Sequence, residues 1–273
     1  MKIGLYTRCL PEQHKADLQN LTEALKRRNI DYSYIGTDNS DSGLIIDPDI
    51  KFVFSIGGDG TLLSAVHHIG SSAIPVVGIN FGHLGFLTTA GRDNFDLLVE
   101  DLLAGRYTLE NRTLLRVSQS QGSTALALNE VSIHRIDDFN LLRTDLYVGN
   151  DFVATYDGDG LIVATPTGST AYSLSCGGPI LTPDCGCFVV TPIAVHNLSL
   201  RPIIVPDSAV LRLVTYPPQQ VNLGTDSRHR VVPGGTEIVV TRQDFTVPLV
   251  RLGHQSFFSA IHQKLSWGGA SVM

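Results

Sequence analysis

Asp157-Gly158-Asp159-Gly160-Leu161-Ile162-Val163-Ala164-Thr165-Pro166-Thr167-Gly168-Ser169-Thr170-Ala171-Tyr172 reads as a strand that hands its end to a helix. Leu161 to Ala164 is an unbroken apolar run, the pattern of a strand covered on both faces. Thr165-Pro166-Thr167-Gly168 stops the ladder, because Pro166 has no N–H and Gly168 tolerates unusual dihedrals. Ser169 or Thr170 can cap a helix that continues through Ala171, Tyr172 and Leu174. A helix N-terminus leaves N–H groups for an anion or for the polar edge of a ligand. Hydroxyls, backbone donors, one ring and two carboxylates therefore gather around one point. The plainer alternative is a surface turn between two core elements.

Outward from this stretch, the chain changes character at Gly105. Upstream, Ile3 to Tyr6 is a short strand. Pro11 opens a helix to about Arg28, with Leu18, Leu21 and Leu25 on one face. Lys26, Arg27 and Arg28 suit the dipole of its last turn, and Asn29 ends it. Tyr32 to Ile35 reads as a second strand and Thr37 to Ser42 as a polar loop. The strand Phe52 to Ile56 runs into Gly57-Gly58-Asp59-Gly60, and a helix follows from Thr61 to about Ile69. Ile74 to Ile79 is the next strand, before Gly82-His83-Leu84-Gly85-Phe86. Asn94 to Leu103 is helical by period. This alternation predicts an α/β domain over residues 1–105, a parallel sheet with helices on both faces.

Downstream, short β-rich segments surround Arg116, Leu126, Tyr147, Val163, Val189, Leu211, Val239 and Leu249, separated by Gly, Pro, Asp or Asn. They predict a β-rich domain over 106–255. A closing stretch over 256–273, helical from Phe258 to Leu265, is expected to pack back on the first domain and to fray from Trp267.

Composition sets outer bounds. The chain has 273 residues, 43% apolar and 17% charged, enough for a sizeable core and too apolar for disorder. Lys and Arg number 20 against 26 Asp and Glu, a net charge of −6. That argues against a nucleic-acid binder, which needs a basic face, and leaves room for a local basic pocket. No apolar run reaches membrane-spanning length, and Met1 to Tyr6 is too short for a signal peptide, so a cytoplasmic protein is expected. Cys9, Cys176, Cys185 and Cys187 match no zinc spacing, and a disulfide framework is not expected at this size. Cys185-Gly186-Cys187 has half the ligands of a metal site, without a second Cys/His pair to complete it. Reduced thiols are the better reading.

Among the groups that can do chemistry, Gly57 to Gly60 stands at the carboxyl end of a strand and opens a helix, where open α/β sheets bind ligands. Its glycines let backbone N–H groups approach phosphate oxygens. No Gly-Lys-Ser/Thr follows, and no G-x-G-x-x-G occurs, so neither a Walker A loop nor the usual dinucleotide fingerprint is present. The turn carries one carboxylate, Asp59. Among phosphates it would self-repel unless a cation intervenes or it accepts a proton from an attacking hydroxyl; both roles fit phosphoryl transfer. A plain Asp/Gly turn is the alternative. Asn129-Glu130 ends the apolar run Ala125 to Leu128 and offers a donor and acceptors suited to a ribose or an amide, or else merely closes a strand. His67, His68, His254 and His262 read as surface or helix residues, while His196 lies between two apolar stretches. There is no Gly-x-Ser-x-Gly elbow and no His-Glu-x-x-His, so nucleophilic hydrolysis and zinc proteolysis lack support.

Taken together, Gly57-Gly58-Asp59-Gly60-Thr61, Asn129-Glu130, the run Asp159 to Tyr172 with Gly177-Gly178-Pro179, and Thr191-Pro192-Ile193 to Arg201-Pro202 resemble the bacterial NAD kinases in order and spacing. The Gly-Gly-Asp-Gly-Thr motif also occurs in diacylglycerol and sphingosine kinases, whereas the run to Tyr172 is specific. The resemblance implies an α/β domain followed by a β-rich domain. It implies transfer of a phosphoryl group from ATP, or in some members polyphosphate, to the 2′-hydroxyl of the adenosine ribose of NAD, with magnesium accompanying ATP. It implies Asp59 as the catalytic carboxylate, Gly57, Gly58 and Thr61 at the phosphates, Gly60 beside the substrate and Phe86 near the adenine. Asn129 and Glu130 would hold the ribose. Asp159 would bind the nicotinamide amide, with Thr170, Ala171, Tyr172 and Ser175 lining the pocket. Ala194 and His196 match positions that a neighbouring subunit contributes, which implies a homodimer or homotetramer. Asp226 matches a late acidic position at the NAD site that is usually followed by Gly; here Ser227 follows. Cys176 stands where many members have Ala. A lipid kinase sharing the Asp59 motif, and a catalytically silent NAD-binding regulator, are the alternatives.

Overall fold

The computed structural model describes residues 1–8, 12–36, 46–82, 85–92, 95–119, 124–136, 140–216, 220–253 and 256–267. The helix start at Pro11, the loop Thr37 to Ser42, Cys9, His83, Leu84, Asn94, His254 and the tail after Trp267 lie outside them. The chain divides into two units, Met1–Asn111 with Val247–Met273, and Arg112–Thr246.

In the first unit, strands β1 (Lys2–Tyr6), β2 (Asp31–Gly36), β3 (Ile50–Ile56) and β4 (Val76–Ile79) form a parallel sheet in the order β2-β1-β3-β4. Parallel pairing follows from the helical crossovers α1 (Lys15–Arg27) and α2 (Asp59–Ile69), because consecutive parallel strands need a long connection. Alternate strand residues face opposite ways. Ile3, Leu5, Phe54, Ile56 and Val77 share one core with Leu21 and Leu25 of α1 and with Leu98, Val99 and Leu102 of α3 (Phe95–Leu103). On the other face α2 brings the His68 ring to 5.0 Å from that of Tyr6. Helices thus cover both faces, as predicted. The second helix begins at Asp59 rather than Thr61, with Gly58 as its N-cap, so Asp59 occupies the first helical position.

Strand β5 (Tyr107–Gln119) carries the chain into the second unit. There β6 (Thr124–Ala127), β7 (Glu130–Arg135), β8 (Leu142–Val148), β9 (Asp151–Gly158), β10 (Gly160–Ala164), β11 (Cys187–Ile193), β12 (Ile203–Pro206), β13 (Leu211–Thr215), β14 (Val221–Thr225) and β15 (Arg228–Val232) follow. Strand β16 (Glu237–Leu252) leads back, and Leu249 pairs in parallel with Val76 of β4. One antiparallel sheet runs β12-β11-β10-β7-β14-β15, and a second run is β9-β8-β13-β16. Val131, Ile133, Leu161, Val163, Phe188 and Val190 of the former share a core with Leu146, Leu211, Leu213 and Ile238 of the latter. On the opposite face of β10 and β11, Ile162, Ala164, Val189 and Ile193 pack with Leu181. Both faces of β10 are therefore covered, which is what its unbroken apolar run encodes.

The helix expected from Ser169 onward is corrected. A 3-10 turn spans Thr167–Thr170, and a separate single turn, α4 (Tyr172–Ser175), follows. Ala171 separates them at φ −102°, ψ −127°. Neither Ser169 nor Thr170 caps a helix: the Ser169 hydroxyl donates to the Pro166 carbonyl at 2.7 Å and accepts from Leu181 N–H at 2.9 Å. Thr170 Oγ1 donates to the Thr167 carbonyl at 3.3 Å. Tertiary partners have taken the groups that capping would have used.

Candidate active site

In the first unit the Gly-rich turn is built around close approaches. Gly57 sits at φ 149°, and a methyl group there would lie 2.8 Å from Cβ of Thr61. Its N–H donates to the Ile79 carbonyl at 2.8 Å, and Thr61 N–H donates to the Gly58 carbonyl at 2.9 Å. The N–H groups of Gly57 and Thr61, two of the expected phosphate donors, are thus engaged inside the fold. The N–H groups of Asp59 and Gly60, in the first turn of α2, have by position no acceptor within the helix.

The Asp59 carboxylate does not stand free at the tip of the turn. Its Oδ2 accepts from Phe86 N–H at 2.9 Å and its Oδ1 from Leu87 N–H at 3.1 Å. Two donors on two oxygens fix the plane of the carboxylate while leaving each oxygen a further lone pair. The loop that donates is itself pinned. Gly85 N–H donates to Thr88 Oγ1 at 2.6 Å, and Thr89 N–H reaches the Gly78 carbonyl at 2.8 Å. A methyl at position 78 would meet Thr88 Cα at 2.8 Å. A methyl at position 85 would lie 2.6 Å from Oδ2 of Asp59 and closer still to Oδ1. Both glycines exist for this approach. The Phe86 carbonyl accepts from Arg251 Nη2 at 2.9 Å, and Arg251 Nε pairs with Glu110 Oε2 at 2.9 Å.

In the second unit the structure brings Asn129, Glu130, Asp226 and the backbone N–H of Tyr172 into one hydrogen-bonded corner, with Thr170 and Ala171 just before Tyr172 in the chain. Asp226 lies at φ 53°, and its N–H donates to the Glu130 carbonyl at 3.0 Å. Its carboxylate accepts from Leu128 N–H at 2.8 Å, Asn129 N–H at 2.8 Å and Glu130 N–H at 3.2 Å. Asp226 therefore holds the turn through its carboxylate, and Ser227 in place of Gly leaves that grip intact. Gly168 presses on the same turn: a methyl there would lie 2.7 Å from Asn129 Cα and nearer to its carbonyl.

Glu130 is 8% exposed, and its Oε2 has no hydrogen-bond partner among the described residues. Burial pushes its carboxyl up to about 8, the Asp226 carboxylate adds to the rise, and the Tyr172 N–H opposes it. A buried carboxyl costs free energy unless it keeps its proton or meets a donor.

The Tyr172 ring is 37% exposed and stacks on His134 at 5.5 Å between centroids and 19° between planes. Burial pulls the His134 imidazole down, against the pull of Asp159 in the other direction. Asp159 Oδ1 pairs with Arg135 Nε at 2.7 Å. Ala194 and His196 are exposed, Ala194 at φ 44°, and His196 N–H donates to the Asp157 carbonyl at 2.9 Å, next to Asp159. Ser175 is exposed at the end of α4.

Sequence reading missed Gly85, Glu110, His134 and Arg251. Arg251 left a signal: it is a lone charge in the apolar run Val247 to Leu252. His134 left none, since its partner Tyr172 is far along the chain.

Comparison with known proteins covers nearly all of this architecture. Residues 11–107 match the family model "ATP-NAD kinase N-terminal domain", and residues 128–252 match "ATP-NAD kinase C-terminal domain". The chain is 45% identical to an NAD kinase of Porphyromonas gingivalis over 223 residues, 81% of this chain and 77% of that one. It is 34% identical to the NAD kinase of Christiangramia forsetii over 98% of both chains. An NAD kinase from Archaeoglobus fulgidus, solved with ATP, superposes with a TM-score of 0.79 at 27% identity, covering 97% of this chain and 99% of that one. Yeast NADH kinase, solved with NADH, shares the fold with a TM-score of 0.87 at 22% identity, covering 99% of this chain and 88% of that one.

Proposed function

The chain belongs to the NAD kinase family, and from that premise we propose that it transfers the terminal phosphoryl group of ATP to the 2′-hydroxyl of the adenosine ribose of NAD, yielding NADP and ADP. The observation that carries the chemistry is the Asp59 carboxylate, fixed by the N–H groups of Phe86 and Leu87. A secondary hydroxyl is a weak nucleophile, and its proton must leave as its oxygen bonds to phosphorus. Asp59 orients the hydroxyl and takes that proton, while the bond from the γ-phosphorus to the β–γ bridging oxygen breaks and ADP departs.

Asn129, Glu130, Asp159, Tyr172 and Ser175 supply the polar and aromatic contacts to the dinucleotide in this reading, with Thr170 and Ala171 lining them and Phe86 near the adenine. Magnesium is assigned to the ATP phosphates, where it neutralises charge. Asp59 has both oxygens on backbone donors, and among the described residues no group of three or more His, Cys, Asp or Glu side chains could hold an ion. NADP formation from NAD, ATP and magnesium, against diacylglycerol and sphingosine as acceptors, tests the assignment; NAD binding without turnover would leave the regulator in its place.

Tyr172→Ala should raise KM for NAD by the equivalent of about 1–3 kcal/mol, since a half-exposed ring with His134 on one face offers its other face to a ligand. An unchanged KM in a folded variant would make Tyr172 a packing residue. Gly85→Ala should lower kcat by roughly tenfold or more, because its methyl must displace the Asp59 carboxylate. A normal kcat for this variant would contradict the geometry of the turn.

The same reading includes a homodimer or homotetramer. It rests on Ala194 and His196, both exposed, which match positions that a neighbouring subunit contributes in the family. Light scattering that finds an active monomer would overturn it. No helix among the described residues is long and apolar enough to cross a membrane. A cytoplasmic setting belongs to the proposal, and the free thiols of Cys176, Cys185 and Cys187 suit it.

A further inference from the structure

Arg251 is 8% exposed in a strand whose neighbours Val250 and Leu249 belong to the core. A guanidinium in such a place carries a desolvation cost unless its donors are matched. It makes two directed bonds, Nε to Glu110 Oε2 and Nη2 to the Phe86 carbonyl, both at 2.9 Å. The Phe86 carbonyl and the Leu87 N–H belong to one planar trans peptide and point opposite ways. Arg251 grips that plane on its oxygen side, and Asp59 Oδ1 receives the N–H on the other side at 3.1 Å. A charged donor on the carbonyl also polarises the peptide and strengthens its N–H as a donor. Phe86 N–H, on the preceding plane, meets Asp59 Oδ2. The chain Glu110–Arg251–peptide–Asp59 is thus continuous, although its members lie 141, 165 and 28 positions apart in sequence.

We propose that Arg251, aligned by Glu110, is a positioning residue for phosphoryl transfer: it fixes the Phe86–Leu87 peptide plane and, through it, the orientation of the Asp59 carboxylate. This rests on Asp59 being the catalytic carboxylate. Arg251 touches no reacting atom in this role.

Arg251→Lys keeps a positive charge beside Glu110 but loses the planar fork that serves two acceptors at once. Its kcat for NADP formation should fall by roughly 10–10²-fold, the scale of a misplacement near 1 Å, while KM for NAD and ATP stays near the parent values. Glu110→Gln keeps the bond from Arg251 to Phe86 and should show a smaller loss in kcat alone; it supplies the reading should Arg251→Lys fail to fold. The double variant Arg251→Lys/Asp59→Asn should be no slower than Asp59→Asn, because the two residues act along one path. A folded Arg251→Lys with parental kcat, or a loss that persists in full in the Asp59→Asn background, would overturn the proposal. A parental kcat in Asp59→Asn itself would instead overturn the assignment of Asp59, and the role of Arg251 with it.

Discussion

Asp59→Asn is expected to lower kcat for NADP formation by at least ~10²-fold, the lower end of general acid–base contributions. NAD affinity, measured by calorimetry, should change by less than about tenfold, or ~1.4 kcal/mol. The contrast follows from when the carboxylate acts. In bound NAD the hydroxyl is neutral and gains one ordinary hydrogen bond; in the transition state its proton is in transit and the charge on Asp59 counts most. The structure adds a condition. Both oxygens of Asp59 accept backbone N–H groups, from Phe86 and Leu87. An amide keeps one acceptor and sets a donor against the other N–H, at a local cost of about 1–3 kcal/mol. Melting temperature must therefore be followed beside kcat, so that a loosened loop is not counted as lost chemistry. Magnesium separates the two roles open to the carboxylate. Excess magnesium should not rescue a lost base, and partial rescue would show that Asp59 serves the metal. A folded variant with near-parental kcat would reduce Gly57 to Thr61 to a structural turn.

The second large effect lies in stability and belongs to Glu130. In the folded protein burial pushes its carboxyl up to about 8 from an ordinary 4.5, and the charge on Asp226 beside it adds to the rise. The folded state therefore keeps this proton up to about pH 8, while the unfolded chain releases it above about pH 4.5. Between those values the folded state binds more protons, so stability falls as pH rises. The ceiling is on the order of 5 kcal/mol at about 1.4 kcal/mol per pKa unit. Glu130→Gln mimics the protonated form and does not titrate. Without NAD, the variant should match the parent at pH 4 and exceed it at pH 8.5. A gain of about 3 kcal/mol corresponds to roughly 6–12 °C in melting temperature for a chain of this size. A difference that is constant with pH would show that Glu130 is ionised in the fold.

Both predictions involve residues that the sequence already singled out, yet each depends on partners it did not show. Asp59 was legible as a carboxylate at a strand-to-helix turn because Gly-rich turns leave a local signature. Glu130 was legible as a polar residue ending an apolar run. That Glu130 would sit beside Asp226, 96 positions away, was not. Nor was the grip of the Asp226 carboxylate on three N–H groups of the turn.

The sequence by itself determined the order of elements, the α/β and β-rich halves, the two-sided burial of β10 and the place of the Gly57 to Thr61 turn. Those features depend on periodicity, on glycine and proline, and on the apolar content of short windows, all of which are local. Tertiary structure decided where each helix begins and what each polar group faces. Ser169 could have capped a helix; packing against Leu181 and Pro166 gave its hydroxyl other partners, and the helix broke at Ala171. The donors that orient Asp59 are backbone N–H groups, present at every residue except proline and so invisible in side-chain identity. What selects Phe86 and Leu87 is the approach of their loop, permitted by Gly78 and Gly85 and secured by Arg251 from the far end of the chain. Contacts of that range leave no period in the sequence, because they are set by how the strands pair and not by what lies beside them along the chain.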